Sequence, residues 1–135
     1  MKPREHSLLV GSLLLYTAAS LLHFTHNAEY LSDYPNLPTW FTRSGVYLAW
    51  AGFASVGLVG YVLYRYGWWL VGFLLLGLYA AFGFDGLLHY TRAPFDAHTG
   101  VMNFTIWFEV VAAAALLIAL VFAVAGRAYR HVLDA

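Results

Sequence analysis

Apolar residues along this chain run on in four long stretches separated by short polar links, with none of the strict alternation that a barrel strand would show. A bilayer core about 30 Å thick takes roughly 20 mostly apolar residues per helix, since only a helix or a closed barrel satisfies its backbone there. Four stretches reach that length, at about residues 7–28, 44–64, 68–90 and 97–125. They predict an all-α protein, an integral membrane four-helix bundle of up-down-up-down order, with residues 1–135 forming a single transmembrane domain.

The links refine this picture. Arg65-Tyr66-Gly67 is so short that the second and third helices must form an antiparallel hairpin. Between Asn27 and Arg43, Pro35 and Pro38 prevent a continuous helix, and Trp40 with Phe41 suits a membrane interface. Arg92-Ala93-Pro94-Phe95-Asp96 reads as a tight turn in which Asp96 caps a fourth helix beginning at Ala97. A second reading of the first stretch is a secretory signal, because Lys2 and Arg4 precede an apolar run holding Ala18, Ala19 and Ser20. Its length and polar end favour a span.

Charge then orients the bundle. Lys2, Arg4, Arg65, Arg127 and Arg130 fall on one side and only Arg43 and Arg92 on the other, so both termini are expected to be cytoplasmic, in a multi-pass protein of the inner membrane. Composition agrees: 61% of the chain is hydrophobic and 10% charged. Seven basic and seven acidic residues cancel, which gives no reason to expect nucleic acid as a partner. The absence of cysteine excludes disulfides, thiolate nucleophiles and iron–sulfur clusters, leaving N, O or the thioethers of Met1 and Met102 to hold any metal.

Polar residues at one end of three helices are the most informative feature. His23, His26, Glu29, Asp85, His89, His98, Asn103 and Glu109 share the outer half of the bundle, whereas the inner half is bland. An ionisable group at membrane depth costs about 2.5–3.5 kcal/mol, so it generally faces the bundle interior and pairs or binds something. Successive steps of about 60° carry His23 to His26 and on to Glu29, so the three can share one face. Asp85 and His89, four residues apart, lie roughly 6 Å apart along a helix axis. On the fourth helix His98, Met102, Thr105 and Glu109 fall within about 40° of one line. The turn after His89 returns His98 beside it.

Convergence of these groups would give a nitrogen and oxygen ligand set suited to copper first and zinc or iron next, with Asp85, His89 and His98 as core ligands and His23 or His26 completing the shell. Glu29 and Glu109 would then serve as catalytic bases or second-site ligands. Each residue also has a plainer explanation. His26, Glu29 and His98 fit the watery interface, and Asp85 with His89 fits a structural pair between helices. Glu109 resists such a reading, because it lies about 12 Å along the helix beyond Val101 and cannot easily reach water.

The run from Asp85 through His89, Arg92 and Pro94 to His98 resembles the membrane copper site in the C subunit of particulate methane and ammonia monooxygenases. That resemblance implies copper bound by Asp85, His89 and His98. The chain as a whole also resembles small four-helix membrane proteins of bacteria. The leading expectation is therefore a membrane metalloprotein that binds its ion or acts on a small or lipophilic substrate. The alternatives are a b-type haem protein with His23 or His26 and His89 as axial ligands, a metal-free acid–base enzyme or transporter, and a subunit of a homo-oligomer or larger membrane complex.

Overall fold

The computed structural model describes residues 3–133, with side chains from Arg4 to Tyr129. Met1 and Lys2, and the side chain of Arg130, lie outside the described residues. Among the described residues five α-helices follow one another: α1 (Pro3–Glu29), α2 (Arg43–Arg65), α3 (Trp69–Phe82), the single turn α4 (His89–Arg92) and α5 (Gly100–Leu133). Tight 3-10 turns occupy Leu31–Asp33, Asp85–Leu88 and Phe95–Ala97, and no strand occurs among the described residues. Four helical stretches are long and apolar enough to cross a membrane: Arg4–Glu29, Arg43–Arg65, Trp69–Arg92 and Gly100–Tyr129.

The third of these is not the continuous helix that its hydropathy predicts. Beyond Phe82 the backbone tightens, with Gly83 N–H donating to Ala80 O at 3.1 Å and Phe84 N–H to Ala81 O at 3.2 Å. Gly83 is jammed against the Ala113 methyl and the Tyr16 ring, so any side chain there would collide. The Tyr16 hydroxyl donates to the Tyr79 carbonyl at 3.0 Å beside this break. Two glycines in four residues thus let an interrupted rod pack where a regular one would not.

Other boundaries also shift. α5 begins at Gly100, not Ala97, because His98 is extended at φ −98° and ψ 142°. Its first turn is capped by the Thr99 hydroxyl, which accepts from Met102 N–H at 3.2 Å, and not by Asp96. Thr42 does the same for α2, accepting from Gly45 N–H at 3.1 Å. The α2–α3 turn closes as a Schellman motif: Trp68 N–H reaches Leu63 O at 3.0 Å, Gly67 N–H reaches Tyr64 O at 3.2 Å, and Gly67 takes the left-handed φ of 93° that favours glycine.

α1 packs chiefly on α5 and α2 on α3, while α1 and α2 meet more sparsely. At the end near the α2–α3 turn, Gly60 and Gly72 bring the two backbones together, the small-residue contact that helices in lipid use. Leu9, Leu76 and Leu116 are wholly buried beside them. Trp69 marks the same end, its ring lying 4.5 Å from the Arg127 guanidinium. Toward the opposite end α1 and α2 part around a cavity, and there the polar residues gather.

Candidate functional site

The amide of Asn27, one turn beyond His23 on α1, organises the site. Its Nδ2 lies 3.1 Å from His23 Nε2 and 3.1 Å from His89 Nε2, so one side chain joins two imidazoles from different spans. The two rings stand nearly edge-on, with centroids 5.6 Å apart. Proton positions follow from the neighbours. The Thr105 hydroxyl donates to Met102 O at 3.0 Å, so toward His23 Nδ1, 3.3 Å away, its oxygen acts as acceptor. His23 therefore carries its proton on Nδ1 and offers a lone pair at Nε2, and the two amide hydrogens of Asn27 serve the two Nε2 atoms.

Glu109 completes the inner side. Its Oε2 is 3.8 Å from His23 Nε2, beyond hydrogen-bond reach, and both carboxyl oxygens are buried without a partner among the described residues. The Gly86 backbone lies over both groups: a methyl built there would touch Glu109 Oε2 and His23 Nε2 at 3.6 Å. The 3-10 turn at Asp85–Leu88 is what brings Gly86 so near. Asp85 in the same turn has its Oδ1 buried and unpartnered. Such an accumulation of unmet acceptors is costly in a fold and marks a place shaped for something other than packing.

His23, Asp85, His89 and Glu109 thus come together, whereas the other predicted site residues sit apart. His98 is buried close by, its ring 6.1 Å from His89, but Nδ1 is committed to Pro94 O at 3.0 Å, Nε2 has no partner, and the ring faces Tyr90 at 5.2 Å. His26 lies one layer outward, with Nδ1 2.8 Å from the Tyr34 hydroxyl. Glu29 is exposed and tied to Arg43 at 2.6 Å and to the Tyr47 hydroxyl at 2.8 Å, away from the cluster. Asn103 is fully occupied in bracing the outer turn, accepting from Tyr90 and donating to the Phe95 and His98 carbonyls. Among the described residues no three His, Asp or Glu side chains form a group able to hold a metal ion. The Asn27 amide stands at the one point on which the His23 and His89 lone pairs converge.

Two participants escape a sequence reading. Asn27 could have been found as the residue four beyond His23. Tyr34 had no such signal, since tyrosine is ordinary in an interfacial loop. Folding back of that loop buries Tyr34 to 3% exposure, lays its ring 4.8 Å from His89 and pushes the phenol pKa up to about 12, because burial disfavours the phenolate. Asn36, at a left-handed φ of 57°, pins the loop by donating from Nδ2 to Arg92 O at 2.8 Å.

Beside this cluster opens a cavity of roughly 410 Å³, between α1, α2 and the Asp85–Arg92 segment. Phe24, Phe41, Val46, Ala49 and Phe53 make apolar walls, His23, Asn27, Asp85 and His89 a polar flank, and Trp40, Thr42 and Arg92 also border it. That volume falls within the range of about 300–1,000 Å³ usual for small-molecule sites. Comparison with known protein families, with curated proteins and with solved structures returned no match.

Proposed function

We propose that this chain is a multi-pass protein of the inner membrane, up-down-up-down with both termini cytoplasmic, whose cavity near the periplasmic face binds a lipophilic small molecule. At the polar flank His23 exchanges a proton with the bound molecule, Glu109 behind the Gly86 backbone is the acid–base partner of His23, and Asn27 holds His23 and His89 in register. The observation that carries this reading is the junction of two features. A buried layer of imidazoles and carboxyls, of the kind found in proton-handling sites, borders a largely apolar cavity between α1 and α2.

The test is to extract the protein into nanodiscs directly from its membrane and identify retained small molecules by mass spectrometry. A lipophile retained by the wild type and absent from Ala49→Trp, which fills the cavity from α2, supports the reading. Identical lipid content in both proteins would end it.

Copper, or zinc or iron, bound among Asp85, His89 and His98 with His23 or His26 is the second reading. The unpartnered Asp85 Oδ1 and His98 Nε2 favour it, with the Glu109 oxygens as further oxygen donors. It calls for the Asn27 side chain to swing off the two Nε2 atoms, and for His98 to turn toward His89. Elemental analysis of the purified protein with and without His89→Ala decides this reading: an ion present at stoichiometric level and lost in the variant supports it, and equal trace levels in both refute it. A Soret band in the same sample would replace the ion by haem.

A further inference from the structure

The cavity's polar flank is chemically one-sided. Asp85 Oδ1 is buried and has no donor. Asn27 spends its amide hydrogens on the Nε2 lone pairs of the two imidazoles, which leaves its own Oδ1 as an acceptor. Behind the Gly86 backbone lie two more unpartnered oxygens, those of Glu109. The donors are the Nδ1–H of His89 and, at the exposed rim, Arg92, Thr42 and the Trp40 indole, which water can serve. A bound molecule that satisfies this flank must bring hydrogens and positive charge. The walls are compatible with this, since the aromatic residues Phe24, Phe41, Phe53 and Trp40 line the space and an aromatic face attracts a cation.

We infer that the molecule held in this cavity is an amphiphile with a protonated amine head, paired with Asp85, and an apolar tail along Phe24, Ala49 and Phe53. This rests on the reading of the cavity as a lipophile site and adds the head group. A bare metal cation would satisfy the same oxygens but leave an apolar space of roughly 410 Å³ without purpose. An anionic head would meet the Asp85 carboxylate with like charge.

Dodecylamine, dodecanol and dodecanoic acid, which share one chain length, can be titrated into the full-length protein in phosphatidylcholine nanodiscs, with binding read from thermal unfolding and from tryptophan fluorescence. The amine should bind about tenfold more tightly than the alcohol, the effect of one charge-assisted hydrogen bond, and the acid should bind least. Asp85→Asn, nearly isosteric, should bring the amine down to the alcohol's level while leaving the alcohol unchanged. Equal binding of amine and alcohol by the wild type, each weakened by Ala49→Trp, would overturn the head-group assignment and leave the lipophile site standing. Binding of all three probes unaffected by Ala49→Trp would overturn both.

Amines reach a membrane either as free amphiphiles or as phosphatidylethanolamine. Adding that lipid to the nanodisc separates them: competition with dodecylamine assigns the natural head group to a bilayer lipid, and no competition assigns it to a free molecule. Displacement of dodecylamine by zinc or copper at equimolar level would overturn the amine in favour of an ion.

Discussion

Around the α2–α3 turn, Gly60 and Gly72 put two backbones in contact, and Leu9, Leu76 and Leu116 fill the centre. Toward the other end the same four spans hold Glu109 and Asp85 with carboxyl oxygens that lack hydrogen-bond partners, a helix broken at Gly83 and a cavity where α1 and α2 part. Close packing in one half supplies the stability with which the other half can hold costly polar groups in place. Strain and unmet acceptors of this sort gather at functional sites.

Changes in the dry half should cost most. Gly72→Val would drive a methyl into the backbone nitrogen of Tyr64 and the carbonyl of Gly60, atoms that can yield only by separating α2 from α3. A loss of about 3 kcal/mol is expected, read by reversible unfolding in mixed micelles. A variant as stable as the wild type would mean that the two helices do not depend on this contact. Asn27→Leu comes next. It strands the lone pairs of His23 and His89 at once, at a cost of about 2 kcal/mol, where an amide merely at the rim would cost nothing measurable.

Glu109→Met should reverse the sign. Replacing a buried acid that has no hydrogen-bond partner by an apolar side chain of similar size removes a desolvation cost and is expected to stabilise the fold by about 1 kcal/mol, while abolishing any proton transfer at the site. Destabilisation instead would show that Glu109 is paired in the membrane and belongs to the structural half.

The four spans could be read from hydropathy because length and apolarity are what a bilayer demands. Glu109, Asp85, His23 and His89 were equally legible, since an ionisable residue deep in an apolar run needs a reason. The break after Phe82 was hidden: Phe82-Gly-Phe-Asp-Gly86 has ordinary hydropathy, and only the packing of Gly83 against Tyr16 and Ala113 turns it into a 3-10 segment. His98 was placed on the axis of the last helix because Asp96 looked like its cap; Thr99 took that role and left His98 extended. Glu29 shared a helical face with His23, yet Arg43 and Tyr47 from α2 claimed it, a competition between spans that no single-helix projection contains.

The smallest effect expected is at Tyr34, and it tests whether the loop closes the site. Its phenol meets His26 Nδ1 at 2.8 Å and its ring covers His89, so Tyr34→Phe should cost about 1 kcal/mol, the worth of one hydrogen bond. The pH dependence has a definite sign. Burial raises the folded phenol from 10.0 to about 12, so the folded state keeps its proton where the unfolded state has lost it. The wild type's advantage over Tyr34→Phe should be constant below pH 10.0 and decline as pH rises from there to about 12, with the phenolate band in the wild-type-minus-variant difference spectrum rising near the upper value. A difference band already complete at the ordinary tyrosine value would mean that water reaches the phenol. The loop would then lie open over the membrane surface, and the polar layer with its cavity would have no roof.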